Sequence, residues 1–379
     1  MDDLYEGREQ MRAKHELLRR YLERFAYKIL PSHGSLDYVD GFAGPWEERD
    51  VAFRDTSFGI AVEKLNDVLI SLYARGPVKR RLAVGCVFNE ADPKAYQRLA
   101  AYAAEARERC RRLSTIETFE GPLMENAERI DRAARHGFRF VFVDPLGWTG
   151  FAPTALRRLT REPSELLVNF MSSTMERHFR HHGPHRHTWL AELVGEARAA
   201  TCREETLTID RVRELFLEMM REDLGFTYVC ASPVMKYARR ETHYWLLYGT
   251  RSPEGVEVLR TAEHAALGAY EQLREAARSG EQGVLAGVFA PTGLYSRQRK
   301  NDLAKLDDDV LAFARAQPGL PFHVFAARLQ ETRFVRRTEV GKAVAAAAKK
   351  GQVASTWKRR NPKARIPGGN DPVEPTPGT

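Results

Sequence analysis

Three features of the sequence predict an α/β fold with a doubly wound, mostly parallel seven-stranded sheet. Short apolar runs alternate with longer segments of helical periodicity between residues 36 and 170, the pattern of strands joined by crossover helices. The fourth run, Phe140-Val141-Phe142-Val143, is apolar without alternation, as a strand covered on both faces must be. The last two runs, 226–232 and 243–248, have a connection too short for a crossover helix. They therefore pair as an antiparallel hairpin at the sheet edge.

Residues 8–30 form an amphipathic helix, with Leu17, Leu18, Tyr21, Leu22, Phe25 and Ile29 at helical spacing and Pro31 as the stop. Strands are expected at 36–40, 82–88, 115–119, 138–143 and 166–170, with helices at 57–75, 92–112, 122–136 and 152–161 between them. An insertion over 172–225 leaves the fifth strand on the carboxyl side of the sheet, where open α/β folds bind ligands. After the hairpin, a helix over 253–279 leads to a Gly-containing linker at 280–302. Short helices at 307–315, 322–330 and 338–350, then a basic strand-like run at 349–353, fit a winged helix-turn-helix. A plain helical cap fits the same pattern. The expected organisation is an α/β domain over 1–280, a basic winged-helix-like module over 281–365, and a disordered Pro/Gly-rich tail over 366–379.

Composition bounds the function. The chain has 379 residues, 43% hydrophobic and 29% charged, which excludes a wholly disordered protein. No apolar run approaches the ~18 residues needed to cross a bilayer. The acidic start lacks an apolar core, and four cysteines without a CxxC pair argue against a disulfide framework or structural zinc. A cytoplasmic protein without a metal is expected. The net charge is +8, yet residues 333–365 hold eleven Lys/Arg against the single acid Glu339, a local net of +10. A near-neutral body with a basic end suits a nucleic-acid partner, or is a solvated tail.

Candidate site residues cluster at strand ends. The first strand runs into Asp40-Gly41-Phe42-Ala43-Gly44, a turn in which Gly44 lets backbone approach a nucleotide-like ligand. Neither GxxxxGK[ST] nor GxGxxG is present. Glu90, at the tip of the second strand, is placed to accept both hydroxyls of a ribose. Glu120 and the backbone at Gly121 end the third strand, within reach of an adenine edge. Asp144-Pro145 ends the buried fourth strand, where a carboxylate is costly unless used or paired. Asp144 and the Pro145 carbonyl together would accept the two hydrogens of an exocyclic amine and aim its lone pair at an electrophilic methyl. Trp148 would stack on the base. The alternative for each acid is a solvated strand end, or a helix cap at Asp144.

These residues carry a resemblance. Lys14-His15 on a leading helix, the Asp40–Gly44 turn, Asn89-Glu90-Ala91-Asp92-Pro93 and Asp144-Pro145-Leu146-Gly147 resemble the three-Cys-motif partner protein family (TcmP) over most of the chain. The core is also similar to class I methyltransferases of the ribosomal-RNA adenine-N6 type. The first resemblance implies a three-cysteine, radical-SAM-like partner protein. The second implies an S-adenosylmethionine site made by His15, Asp40, Phe42, Gly44, Glu90, Glu120 and Gly121, with Asp144 catalytic and Pro145 and Trp148 on the substrate. Two departures stand out: Trp46 replaces a glycine in the first turn, and Leu146-Gly147 follows Pro145 where an aromatic is usual. The basic run Trp357-Lys358-Arg359-Arg360 is expected to hold nucleic-acid phosphates.

His178, His181, His182, His185 and His187 crowd one segment of the insertion. Gly183-Pro184 breaks that run and no HExxH or cysteine accompanies it, so a cationic loop meeting phosphate, or a solvated loop, is expected over a metal site. A non-catalytic scaffold that keeps the cofactor fold is the competing class of function.

Overall fold

The computed structural model describes residues 3–45, 48–76, 80–145, 150–172, 186–202, 207–237, 241–282 and 293–376. The chain divides into two compact units, Met1–Arg251 and Ser252–Thr379. The boundary falls earlier than the 280/281 position read from the sequence.

The first unit is built on seven strands in the order β3-β2-β1-β4-β5-β7-β6. They are β1 (Ser35–Asp40), β2 (Ala83–Glu90), β3 (Thr115–Glu120), β4 (Phe138–Val143), β5 (Ser164–Phe170), β6 (Tyr228–Met235) and β7 (Thr242–Thr250). The first five are parallel; β7 pairs antiparallel with both β5 and β6. The expected sheet and its late hairpin are both present. Helices α1 (Glu9–His33), α2 (Ser57–Ala74), α3 (Pro93–Arg109), α4 (Leu123–Ala133) and α5 (Pro153–Leu159) accompany the parallel strands. Local chemistry fixes their starts. The Thr56 hydroxyl accepts from the Gly59 N–H at 3.1 Å to cap α2, and Asp92 accepts from the Ala95 N–H at 2.8 Å to cap α3, with Pro93 in its first turn.

Two sequence boundaries shift. Helix α1 passes through Pro31 and ends at Gly34, whose left-handed φ of 81° brings its N–H to the Leu30 carbonyl at 2.9 Å. The stop is the glycine, because proline in a last turn forfeits only one hydrogen bond. Strand β4 is buried from end to end and tolerates Arg139 because that guanidinium reaches Asp131 (3.0 Å) and the carbonyls of Leu159 and Ala134. Within the 172–225 insertion, helices Arg186–Val194 and Ile209–Glu222 are described. Val212, Leu215, Phe216 and Met219 of the second join the core cluster that contains β4 and β5 residues.

The second unit carries the helices Pro253–Gln282, Leu294–Ala316, Phe322–Thr332 and Arg337–Lys349. Val310, Phe325, Val344 and Trp357 are among its core residues. Buried Arg260 is neutralised by Glu263 at 2.8 Å and donates to the Gln330 carbonyl. The run at 349–353 forms no hairpin: Val353 makes an isolated bridge with Pro375. Residues 366–376, expected to be disordered, are instead tied down. Pro372–Val373 pairs antiparallel with Leu320–Pro321, and the Val373 side chain is buried. A single apolar residue in a polar, Pro-rich stretch suffices to anchor it, which composition does not register.

Candidate functional site

A cavity of about 350 Å³ lies at the carboxyl ends of β1, β4 and β5. Helix α1 supplies Lys14 and His15, the turn after β1 supplies Phe42 and Gly44, and the end of β4 supplies Asp144 and Pro145. Five of these six are residues the sequence marks for cofactor, catalysis or substrate.

Asp144 is the centre of the polar wall. Its Oδ2 accepts from the Lys14 ammonium, and its Oδ1 accepts from Asn169 Nδ2 at 2.6 Å. Both oxygens therefore already have a donor, and the charge is neutralised by a buried lysine. Asn169, near the end of β5, is 3% exposed and lines the same cavity. Its Oδ1 has no hydrogen-bond partner. Asp55, just before the α2 cap, is alike. Its Oδ2 accepts from Arg8 (2.7 Å) and from the Arg49 N–H (2.9 Å), while its Oδ1 is buried and unpartnered. Unfilled buried acceptors in a cavity mark where a ligand's donors fit.

His15 is fully buried, with the Tyr5 hydroxyl 3.1 Å from its Nδ1. Burial, reinforced by Lys14, Arg19 and Arg8, holds its pKa well below the ordinary histidine range, so the ring is neutral at physiological pH. Tyr244 of β7 closes the wall by donating to the Gln10 carbonyl of α1 at 2.6 Å.

The other predicted acids do not join this cavity. Asp40 is fully buried and turned inward: its Oδ1 accepts from the Phe42 N–H at 3.1 Å, and Tyr38 donates to its Oδ2 at 3.2 Å. Burial, with a smaller push from Asp144, raises its pKa to about 7 against the hydrogen bonds from Ser57, Phe42 and Tyr38. Glu90 is also buried, accepts from the Asp92 N–H at 2.7 Å, and has its pKa raised by desolvation. Glu120 is exposed, and its carbonyl accepts from Asn126 at 2.8 Å. Gly121 takes a φ of 115°, closed to most other residues. One cradle of converging carboxylates, as the sequence suggested, is not what forms here. Short side chains at strand ends bond the amide two residues on before they reach a ligand.

Asn89 acts as a strap among these loops. Its Nδ2 donates to the carbonyls of Gly41 (3.2 Å) and Gly121 (3.1 Å), and its Oδ1 accepts from Asn126 at 2.9 Å. Trp46, Leu146, Gly147 and Trp148, with His178, His181, His182 and His185, lie outside the described residues. No metal-ligand cluster exists among the described residues.

The basic run resolves unevenly. Trp357 is 1% exposed and belongs to the core of the second unit, so it is not a stacking surface. An indole among Lys and Arg is read as a base-stacking ring, but its apolar area favours the core. Lys358 and Arg359 are exposed; the Arg360 side chain is outside the described residues. Arg333, Arg336, Arg337 and Lys350 sit on Asp309, Glu339, Glu257 and Asp307, respectively, which lowers the free basic excess.

Sequence reasoning missed Lys14, Asn169 and Asp55. Asn169 had a signal: one amide inside the apolar run Leu166-Leu167-Val168-Asn169-Phe170, which is costly unless satisfied or used. Lys14 was visible only as half of Lys14-His15.

The strand order and the antiparallel last strand define a class I methyltransferase-like fold. No family model matches the chain, and no curated protein matches it. Among solved structures, the chain is similar to cofactor-bound Rv0187 from MTB, at 14% identity over 62% of this chain and 79% of that one, with a TM-score of 0.31. It is also similar to the O-methyltransferase TomG from Streptomyces achromogenes in complex with SAM, at 14% identity over 61% and 78%, with a TM-score of 0.29. No helix among the described residues is long and apolar enough to cross a membrane.

Proposed function

We propose that the first unit binds S-adenosylmethionine and transfers its methyl group to an exocyclic amine of a nucleic-acid base. The observation that carries this reading is the meeting of His15, Phe42, Gly44, Asp144 and Pro145 in one cavity at the carboxyl ends of β1, β4 and β5. The unfilled acceptors on Asn169 and Asp55 fit a ligand rich in N–H and O–H donors. When bound, the cofactor supplies an electrophilic methyl on a sulfonium. Neutral His15, Phe42 and Gly44 would hold it; Glu90 could reach a ribose hydroxyl only by sharing the oxygen that takes the Asp92 N–H. The amine nitrogen attacks the methyl carbon in line, the carbon–sulfur bond breaks with its electron pair to sulfur, and the amine's proton leaves to water.

The second unit, read as a winged-helix-like module, would hold phosphates through Lys358, Arg359 and Arg360, with affinity falling steeply as salt rises. A base in a duplex would be flipped out to reach the cavity. The three-cysteine radical-SAM-like partner and a cytoplasmic location remain part of this proposal. A second reading is a non-catalytic scaffold for that partner, favoured by the engagement of both Asp144 oxygens with Lys14 and Asn169.

Labelled S-adenosylmethionine incubated with total nucleic acid tests the choice. Label transfer by the wild type and its loss in Asp144→Ala is the expected result. Calorimetry with the cofactor alone reports binding; no heat and no transfer in the wild type favours the scaffold.

A further inference from the structure

We infer that the amide oxygen of Asn169, not the carboxylate of Asp144, is the acceptor that selects the group entering this cavity, and that this group is an uncharged N–H donor. The inference deepens the proposed function and rests on it only for naming the donor as the acceptor base. The orientation of the Asn169 amide is chemically fixed. A carboxylate only accepts, so the group 2.6 Å from Asp144 Oδ1 must be the amide nitrogen. Oδ1 is then turned the other way. It is buried on a cavity-lining residue and bonds to nothing.

Asp144 is in the opposite condition. Both its oxygens carry donors, one of them a lysine ammonium. An incoming amine would have to share those oxygens, while Asn169 Oδ1 has both lone pairs free. Asp144 and Lys14 are then positioning residues. Asp144 holds the amide in its rotamer, and Lys14 cancels the charge that would otherwise draw a cation.

The charges around the cavity also select against ions. Lys14 neutralises Asp144, Arg8 neutralises Asp55, and His15 is uncharged. A neutral N–H donor is thus favoured over an ammonium, and a carboxylate or phosphate would meet the acceptors of Asn169 and Asp55. An aromatic amine of the adenine kind satisfies these conditions; a carbonyl at the same ring position faces Asn169 Oδ1 oxygen to oxygen.

The test uses the full chain with adenosine and inosine as probes, which differ in amine against carbonyl at one ring position, with S-adenosylhomocysteine added to occupy any cofactor site. Titration calorimetry should give roughly tenfold preference for adenosine in the wild type, the size of one well-made hydrogen bond. Asn169→Leu, of similar volume without polar atoms, should abolish that preference while keeping its heat-unfolding midpoint. Asn169→Asp should fold less stably beside Asp144 and serves as the check that the site responds to charge. A preference that survives in Asn169→Leu, or that is absent in the wild type, overturns the inference. Heat from S-adenosylmethionine is read on the same samples. If it is absent while the adenosine preference behaves as expected, only the cofactor reading fails. If Asn169→Leu loses the cofactor and keeps the base preference, Oδ1 serves the cofactor and the inference fails.

Discussion

The two ends of one sheet edge behave differently. At the tips of β1 and β2, Asp40 and Glu90 are buried and spend their oxygens on backbone amides two residues ahead. At the tips of β4 and β5, Asp144 and Asn169 find partners far along the chain, 130 and 25 residues from Asp144. The cause is partly local: the residue after Asp144 is Pro145, which has no N–H to offer. A strand-end acid followed by open backbone closes on itself and shapes a turn. One followed by proline is left to tertiary partners, and it is there that the cavity opens. The same residue type at equivalent positions therefore does architectural work at one end and lines a site at the other.

The largest expected effect sharpens this contrast through pH. Asp40 is pushed up to about 7 by burial. Its unfolded carboxyl ionises near its ordinary value of 3.8, so between about pH 4 and 7 the unfolded state sheds a proton that the folded state keeps. Stability contributed by the protonated group is full below that window, falls as pH rises through it, and is flat above about 7. A displacement of about three units corresponds to on the order of 4 kcal/mol. Asp40→Asn should flatten the stability–pH profile in that window, measured by urea denaturation. Glu165, fully buried among Tyr21, Tyr248 and Thr250 and also raised to about 7, adds a slope of the same sign. Glu165→Gln is thus needed to separate the two. An unchanged profile in both variants would place these groups in a wetter setting than their burial implies.

The next effect concerns the Lys14–Asp144 pair. Removing one member of a buried pair leaves the other charge uncompensated, at about 3–5 kcal/mol. Asp144 borders the cavity with 16% of its side chain exposed, so Lys14→Met should cost about 3 kcal/mol, at the low end. Adding Asp144→Asn should recover part of that loss, because the stranded charge is gone. If the double variant is no more stable than Lys14→Met, the pair is not what holds this end of the edge together.

The fold was largely legible, because burial on both faces writes itself into a sequence. The apolar run of β4 and the short β6–β7 connection predicted the sheet that is observed. Of the site, His15, Phe42, Gly44, Asp144 and Pro145 were legible as residue types at strand ends. Their partners were not. Lys14 meets Asp144 across 130 residues of sequence, and no local pattern encodes that contact. The inward turn of Asp40 and Glu90 was illegible for the reverse reason: a hydrogen bond to the next residues looks, in sequence, the same as an acid awaiting a ligand. Trp357 was misplaced because a basic flank hides the apolar face that takes an indole into the core.

The smallest effect asks whether the β2–β3 end has any part in binding. Glu120 is exposed and its carboxylate fixes nothing the fold needs, so Glu120→Ala should change stability by no more than about 0.5 kcal/mol. Glu90→Ala removes the acceptor of the Asp92 N–H, beside the start of α3, and should cost about 1 kcal/mol. If this end is only architectural, the cofactor affinity of Glu90→Ala should fall in step with its small loss of stability, and that of Glu120→Ala should stay level with the wild type. A large fall in affinity for Glu120→Ala at unchanged stability, read by calorimetry with S-adenosylmethionine, would instead mean that the exposed carboxylate folds onto bound adenosine. The two ends of the edge would then form one site when occupied, and the contrast drawn between them would hold for the empty protein alone.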